Sequence, residues 1–245
     1  MNGIGYGNSM FLATHGILAK GGTPAPVFNQ YSMLLDGVDE YFNIANPTSF
    51  TDTGNFSISA WVKYTTTSSL YILSIRDNRF LYVNTGKIVG AYRNSAGSFI
   101  SITSPSLYNN NNWHHVLFVK NSTNLILFVD GIQVISNSSG GATQSGGSSF
   151  ARISARAFNA TPTNYYNGLV DEIAFFQSDQ SANISTIYNS GVPTDLTSLS
   201  PLSWWRMGDG DTWGGTNWTL IDNGSGGNDA TSVNMEQADR VTDVP

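Results

Sequence analysis

The sequence predicts an all-β protein built as a sandwich of two antiparallel sheets. Three observations lead there. Short segments rich in β-branched and aromatic residues recur along the chain, bounded by Gly, Asn, Ser or Pro, at the ~8–12-residue spacing of strands in a sandwich or barrel. One of them, FSISAW (56–61), alternates apolar and polar residues with the period of a half-buried strand, and in LILFVDG (125–131) the same period sets Leu125, Leu127 and Val129 on one face. Charged residues are only 11% of the chain, against a usual ~25%. The Glu, Lys and Arg of long surface helices are therefore missing, and the polar faces fall to Asn, Ser, Thr and Gly.

The elements follow in order. Residues 1–27 are Gly-rich, then punctuated by Pro, and show no clean period. Two readings stand for them: a loose terminus, or an extended arm whose Met10, Phe11, Leu12, Ile17 and Leu18 seek burial in an assembly. LDGVDEYF (35–42 within 31–44) turns at Asp36-Gly37. YILSI (71–75), RFLYV (79–83), KIVGAY (87–92), SFISI (98–102), HHVLFV (114–119) and LVDEIAFF (169–176) read as further strands. Asp130-Gly131 between alternating segments marks a tight hairpin. Residues 137–149 (NSSGGATQSGGSS) form a low-complexity loop without an apolar anchor. One helical turn is expected at 181–191, with Ile184, Ile187 and Tyr188 on one face and Gly191 as its cap. The expected core is led by Phe56, Ile58, Trp61, Val116, Phe118, Leu127, Val129 and Ile173, and Trp113, at a strand start like Trp61, is expected to fill it too. Four of six tryptophans (204, 205, 213 and 218) crowd the last fifth of the chain, a density that calls for a core or a binding face.

Composition excludes several classes. The pI is near 4.8, the net charge −6, and no Lys/Arg run exists, so nucleic acid has no electrostatic footprint. Cysteine is absent, which removes disulfides and thiolate metal sites. No apolar run reaches the ~18–20 residues that cross a bilayer, so membrane insertion is not expected. The N-terminus has no positive leader region, and an extracellular location would be reached by another route, such as a virus particle.

Four blocks carry a resemblance. YSMLLDGVDEYFNI (31–44), FSISAWVK (56–63), WHHVLFVKNSTNLILFVDGIQV (113–134) and YYNGLVDEIAFFQSDQSANISTIYNSG (165–191) follow the order seen in laminin-G-like domains. The resemblance implies the concanavalin A-like jelly-roll fold. SWWRMGDGDTW followed by LIDNGSGGNDATSVNM (within 203–235) resembles the segment that usually opens such domains. Here it stands last, which implies a circular permutation: one domain over 28–235 with its final strand from 200–235, preceded by the arm and linker at 1–27 and followed by a tail at 236–245.

Catalysis is not expected. Glycoside hydrolysis usually needs two suitably spaced carboxylates, and the chain has three Glu, at 40, 172 and 236, none in the strand motif of glycosidases of this fold. Asp171 and Glu172 are adjacent, so in a regular strand they would face opposite ways. Calcium is the cofactor the resemblance implies. Asp36, Asp39 and Asp171 are its candidate ligands, with turn capping as the alternative role for the first two. Glycan binding is the activity the resemblance implies. Tyr165, Tyr166, Trp213 and Trp218, beside Gly- and Asn-rich stretches, are its candidate stacking residues, and core packing is the alternative for each.

Two functions are expected from this. The chain resembles laminin-G-like virion proteins of tailed marine bacteriophages, which implies a structural protein at the virion surface. Its partners would be other virion proteins and copies of itself, contacted through the arm, with cell-surface glycans touched by the jelly roll. The alternative is a calcium-dependent extracellular lectin module.

Overall fold

The chain's structure, a computed structural model, describes residues 28–50 and 54–245. The proposed arm residues Met10, Phe11, Leu12, Ile17 and Leu18 lie outside the described residues.

The strands in chain order are β1 (Ser32–Asp36), β2 (Tyr41–Ile44), β3 (Phe56–Lys63), β4 (Leu70–Ile75), β5 (Arg79–Asn84) and β6 (Lys87–Arg93). β7 (Phe99–Thr103), β8 (His114–Lys120), β9 (Asn124–Val129), β10 (Ile132–Ser138), β11 (Ala151–Ile153) and β12 (Asn167–Phe176) follow. After a short helix, α1 (Ile184–Tyr188), come β13 (Ser203–Trp205), β14 (Thr212–Trp213), β15 (Trp218–Leu220), β16 (Ala230–Val233) and β17 (Arg240–Val241). They form two antiparallel sheets, a jelly-roll sandwich. One runs β10-β9-β8-β3-β12-β1-β17, with β13 also on β12; the other runs β14-β15-β16-β2-β11-β4-β5-β6-β7.

Alternation explains the core. In β3, Phe56, Ile58, Ala60 and Val62 fall between the sheets, where they meet Val116, Phe118, Leu127 and Ile173. The same alternation sends Ser57, Ser59 and Trp61 outward. Trp61 is therefore buried not between the sheets but on the outer face of the first sheet, against His115 and Tyr188. Trp113 is not in the core either: it is half-buried, and its Nε1 donates to Asp243 Oδ1 at 2.8 Å. Val129 is buried at the Asp130-Gly131 turn but lies outside the inter-sheet cluster.

A second apolar cluster covers the first sheet's outer face. Leu117, Val119, Phe128, Ala174 and Phe176 pack under Ile187 of α1, Leu196 and Trp204. The helix ends at Asn189 rather than Gly191: Asn189 takes the left-handed conformation (φ 45°), and its N–H donates to Ser185 O. Asn tolerates that conformation and ends the helix two residues early.

The C-terminal fifth is built into both sheets. β13 pairs with β12, β16 with β2, and Trp205, Trp218 and Leu220 enter the inter-sheet core. Residues 236–245 are not a free tail. β17 pairs with β1 (Ser32 opposite Val241), and Asp243 binds both Lys63 Nζ, at 2.6 Å, and Trp113.

Candidate functional site

The site grows from the β4–β5 turn. Arg76 and Asp77 both take left-handed backbone conformations there (φ 54° and 51°), positions that favour Gly or Asn. The Asp77 carboxylate is 6% exposed and joins two arginines from distant strands and loops. Arg93, the last residue of β6, donates Nε and Nη2 to Oδ2 at 3.3 and 3.0 Å, and Arg156 donates Nε to Oδ1 at 3.1 Å. Burial works against the Arg156 charge, but the hydrogen bond and charge of Asp77 outweigh it and hold its proton above the ordinary value.

Two loops wall this cluster. Residues 140–149 are ordered by backbone hydrogen bonds: Gln144 N to Arg93 O, Ser95 N to Ala142 O and Ser148 N to Arg76 O. Asn78 Nδ2 adds bonds to Gln144 O (3.2 Å) and Gly146 O (2.6 Å). Gly147 sits so close that a Cβ would come within 2.2 Å of Arg76 O. The segment that reads as a featureless loop is thus a fitted wall, held by main-chain groups that leave no side-chain pattern. The second wall is 154–166, which crosses the outer face of the nine-stranded sheet. Arg152 of β11, 2% exposed, supports it from beneath, donating Nη1 to Arg156 O at 3.0 Å and Nη2 to Ala160 O at 3.1 Å.

Between the walls lies a cleft of about 290 Å³ lined by Arg76, Asp77, Arg93, Gln144, Ser148 and Phe158. Such a volume is near the lower end of ligand pockets, ~300–1,000 Å³. Two large rings are open to solvent at its borders: Phe158, 57% exposed with the Arg156 guanidinium 5.2 Å from its centroid, and Phe99, 43% exposed with that of Arg93 at 5.8 Å. Across the 154–166 loop a second cleft, about 390 Å³, is lined by Tyr41, Asn43, Phe150, Arg152 and Ala160.

The expected glycan residues divide. Tyr165 is half-buried beside the second cleft, its ring 6.0 Å from that of Tyr41. Tyr166 is fully buried against Tyr64. Neighbours in an extended chain face opposite ways, so the pair cannot serve together as a platform. Trp218 is also core: 1% exposed, its Nε1 donates to Glu236 O and Arg240 lies over its ring. Trp213 is half-buried and packs against Trp218 at 5.5 Å.

The three aspartates do not fit a calcium site. Asp36 Oδ1 accepts from Val38 N within its own turn, the β1–β2 turn that also holds Asp39. Asp36 lies opposite Asn167 of β12, four positions from Asp171, about 13 Å along a strand. Asp171 is fully buried and already accepts from Asn29 Nδ2 at 2.8 Å. Among the described residues no three His, Asp or Glu side chains are grouped to hold a metal ion.

Asp171 and Glu172 do not face opposite ways, because β12 is irregular between Asp171 and Ala174 and Glu172 has φ 47°. Such a bulge re-aims side chains. Both carboxylates end up buried and close to residues 28–29: Glu172 accepts from Trp204 Nε1 at 2.6 Å and Arg206 Nε at 3.2 Å, and Arg206 binds Phe28 O. Burial pushes Glu172 up to about 7 against the opposing pull of Arg206 and Trp204, and burial beside Glu172 raises Asp171 as well. This group clamps the start of the described chain onto the sandwich.

Residues 36–183, more than half of the chain, match the family model Laminin_G_3, described as the concanavalin A-like lectin/glucanases superfamily. No curated protein matches the sequence. Among solved structures, the chain resembles a candidate carbohydrate binding protein from Bacteroides ovatus (TM-score 0.68, 14% identity, 89% of this chain and 61% of that one). It also resembles a heptameric SAP-like pentraxin from Limulus polyphemus (TM-score 0.53, 14% identity, 67% and 84%). A third likeness is to botulinum neurotoxin type C, whose cell entry depends on two ganglioside molecules (TM-score 0.51, 16% identity, 68% and 44%). The chain thus spans less than two thirds of the first of these. At such identities the likeness is one of fold.

Proposed function

Because the chain belongs to the concanavalin A-like lectin/glucanases superfamily, we propose that it is a non-catalytic carbohydrate-binding protein whose glycan lies on the outer face of the nine-stranded sheet. The observation that carries this reading is the cleft between the 140–149 and 154–166 loops, with the exposed rings of Phe158 and Phe99 at its borders. A pyranose offers an apolar C–H face and a rim of hydroxyls. An aromatic face takes the first, and Gln144, Ser148 and the arginines bond the second. The carbohydrate- and ganglioside-linked neighbours support the same reading by analogy of fold. The buried carboxylates of β12 are engaged with Asn29, Trp204 and Arg206, which favours a structural role for them over acid–base work.

A glycan array followed by titration calorimetry tests the proposal, with Phe158→Ala as the site variant. Binding that weakens at least tenfold in the variant at an unchanged melting temperature supports the site. Equal binding moves it elsewhere, with the cleft beside Tyr165 next in line. Running the titration with calcium and with a chelator tests the cofactor expectation independently of Asp36, Asp39 and Asp171.

The apolar run Met10-Phe11-Leu12 with Ile17-Leu18 favours a second, compatible reading: a virion surface protein that docks through its arm and shows the sandwich to the medium. Light-scattering mass of the full chain against a chain beginning at residue 28 tests it. A defined assembly seen only with the arm supports it, and two monomers remove it.

A further inference from the structure

Resting on the reading of that cleft as a glycan site, we propose that its ligand is an acidic saccharide, one whose carboxylate or sulfate sits on the guanidinium group of Arg76, with that of Arg156 at the cleft's edge. The chain carries a net charge of −6 and has eleven basic residues. Four of these are arginines brought to this side of the nine-stranded sheet, Arg76, Arg93, Arg152 and Arg156. At the cleft itself two guanidinium groups, of Arg76 and Arg93, accompany one carboxylate, Asp77, and Arg156 adjoins it through Asp77 and the Phe158 ring. Among the described ion pairs Asp77 is their only acidic partner. An acidic protein that concentrates cations in one concavity sets up a local field attractive to anions.

The donor geometry points the same way. Asp77 uses both oxygens on Arg93 and Arg156, so it orients the two arginines and has little left to offer a ligand. Arg156 binds Asp77 through Nε, and Arg76 binds Ser148 O through Nε at 3.3 Å. Both therefore present the outer, terminal edge of the guanidinium, whose paired N–H groups match a carboxylate or sulfate. Arginine holds its charge at any working pH and makes bidentate contacts that lysine cannot. The left-handed backbone at Arg76 and Asp77 fits this demand. Arg76, a long side chain that rarely adopts the conformation, occupies it, where Asn-Gly would close the same hairpin without strain. The aromatic rims decide for a sugar over a bare anion, since Phe158 and Phe99 supply stacking area that an inorganic ion does not use.

The test uses the full chain and three matched pairs: a galacturonate trisaccharide and its methyl ester, sialyllactose and lactose, and a sulfated galactose oligosaccharide and its desulfated form. Affinity is measured by calorimetry at 50 and 500 mM salt. At least one acidic member is expected to bind tenfold or more tighter than its neutral partner, with the gap closing at high salt. Arg76→Gln removes the gap and Arg76→Lys restores part of it, whereas Phe158→Ala weakens acidic and neutral members alike. The three acidic members distinguish uronate, sialate and sulfate as the source of the anion. Equal binding within every pair overturns the acidic-ligand inference and leaves the glycan reading standing. Binding of no member overturns both. A gap that survives Arg76→Gln and Arg156→Gln, in variants with wild-type melting temperatures, places the anion elsewhere and also overturns the inference.

Discussion

Trp61 and Tyr188 stack face to face, ring centroids 5.9 Å apart and planes 26° from parallel. This contact fastens the short helix α1 to the outer face of the eight-stranded sheet. His115 fills the angle between them, 5.1 Å from Trp61 and 5.8 Å from Tyr188. Gly131 completes the fit, because a Cβ there would come within 2.5 Å of the Tyr188 ring.

Trp61→Ala is expected to destabilise the protein by about 3–5 kcal/mol, the usual range for emptying a buried aromatic site. The loss is local to the helix side, so α1 amides should exchange hydrogen faster while β4–β7 amides keep their protection. A denaturant midpoint equal to wild type would contradict this packing.

His115 gives the stability curve an acid limb. It is fully buried, and burial pushes its pKa down to about 3 against the weaker pull of the Asp130 charge. An unfolded histidine takes a proton near pH 6.5. Between pH 6.5 and 3 the unfolded chain therefore binds more protons than the folded one, and stability falls as the pH drops, by up to about 1.4 kcal/mol per pH unit. Glu172 acts oppositely. With its folded pKa raised to about 7, the folded state binds more protons between about 4.5 and 7, so its contribution fades as pH rises through that window. His115→Gln should flatten the acid limb and Glu172→Gln the neutral one, read from urea midpoints at pH 4, 5, 6 and 7.

Arg152 is the post under the 154–166 loop. Arg152→Met keeps the apolar stem but removes two charge-assisted hydrogen bonds, to the carbonyls of Arg156 and Ala160, a class of bond worth about 1.5–3 kcal/mol each. The variant should lose stability by about 2–4 kcal/mol and should lose glycan binding in greater proportion than Phe158→Ala, because both clefts share that loop. Retained binding in a folded Arg152→Met protein would separate the loop from the site.

A chain ending at Leu199 is not expected to fold. It lacks Trp205, Trp218 and Leu220 of the core and the partner strands of β1, β2 and part of β12. A cooperative unfolding transition with dispersed amide resonances in that chain would refute the prediction.

Much of the fold is legible because side-chain alternation is a local signal. Phe56, Ile58, Val116, Phe118, Leu127 and Ile173 reach the inter-sheet core as their spacing requires. Trp61 was open to the same logic, since an odd offset from Ile58 places it outward, but its size argues for the core and misleads. The bulge at Asp171–Glu172 has no local signature: it arises where β12 passes from pairing with β1 to pairing with β13. The site was the least legible part. Arg76, Arg93 and Arg156 are far apart in the chain and meet only through the register of β4, β5 and β6 and the course of two loops. The one trace was compositional, five arginines within 76–156 of a chain poor in charge. Tyr165 and Tyr166 drew attention instead because aromatic pairs beside Gly and Asn look exposed, although strand geometry allows only one of them to be.

The pairing of the two ends has a kinetic consequence. Ser32 Oγ donates to Asp243 O, 211 residues away, and β1 and β2 take partners from β17 and β16. Closing loops of that length before any contact rewards them makes folding slow. Until residues 200–241 dock, β1 and β2 each carry a bare edge of unpaired main-chain donors and acceptors, a surface on which a second chain can add a strand. Refolding should therefore be a contest between the chain's own distant segment and its neighbours, with a yield that falls as protein concentration rises.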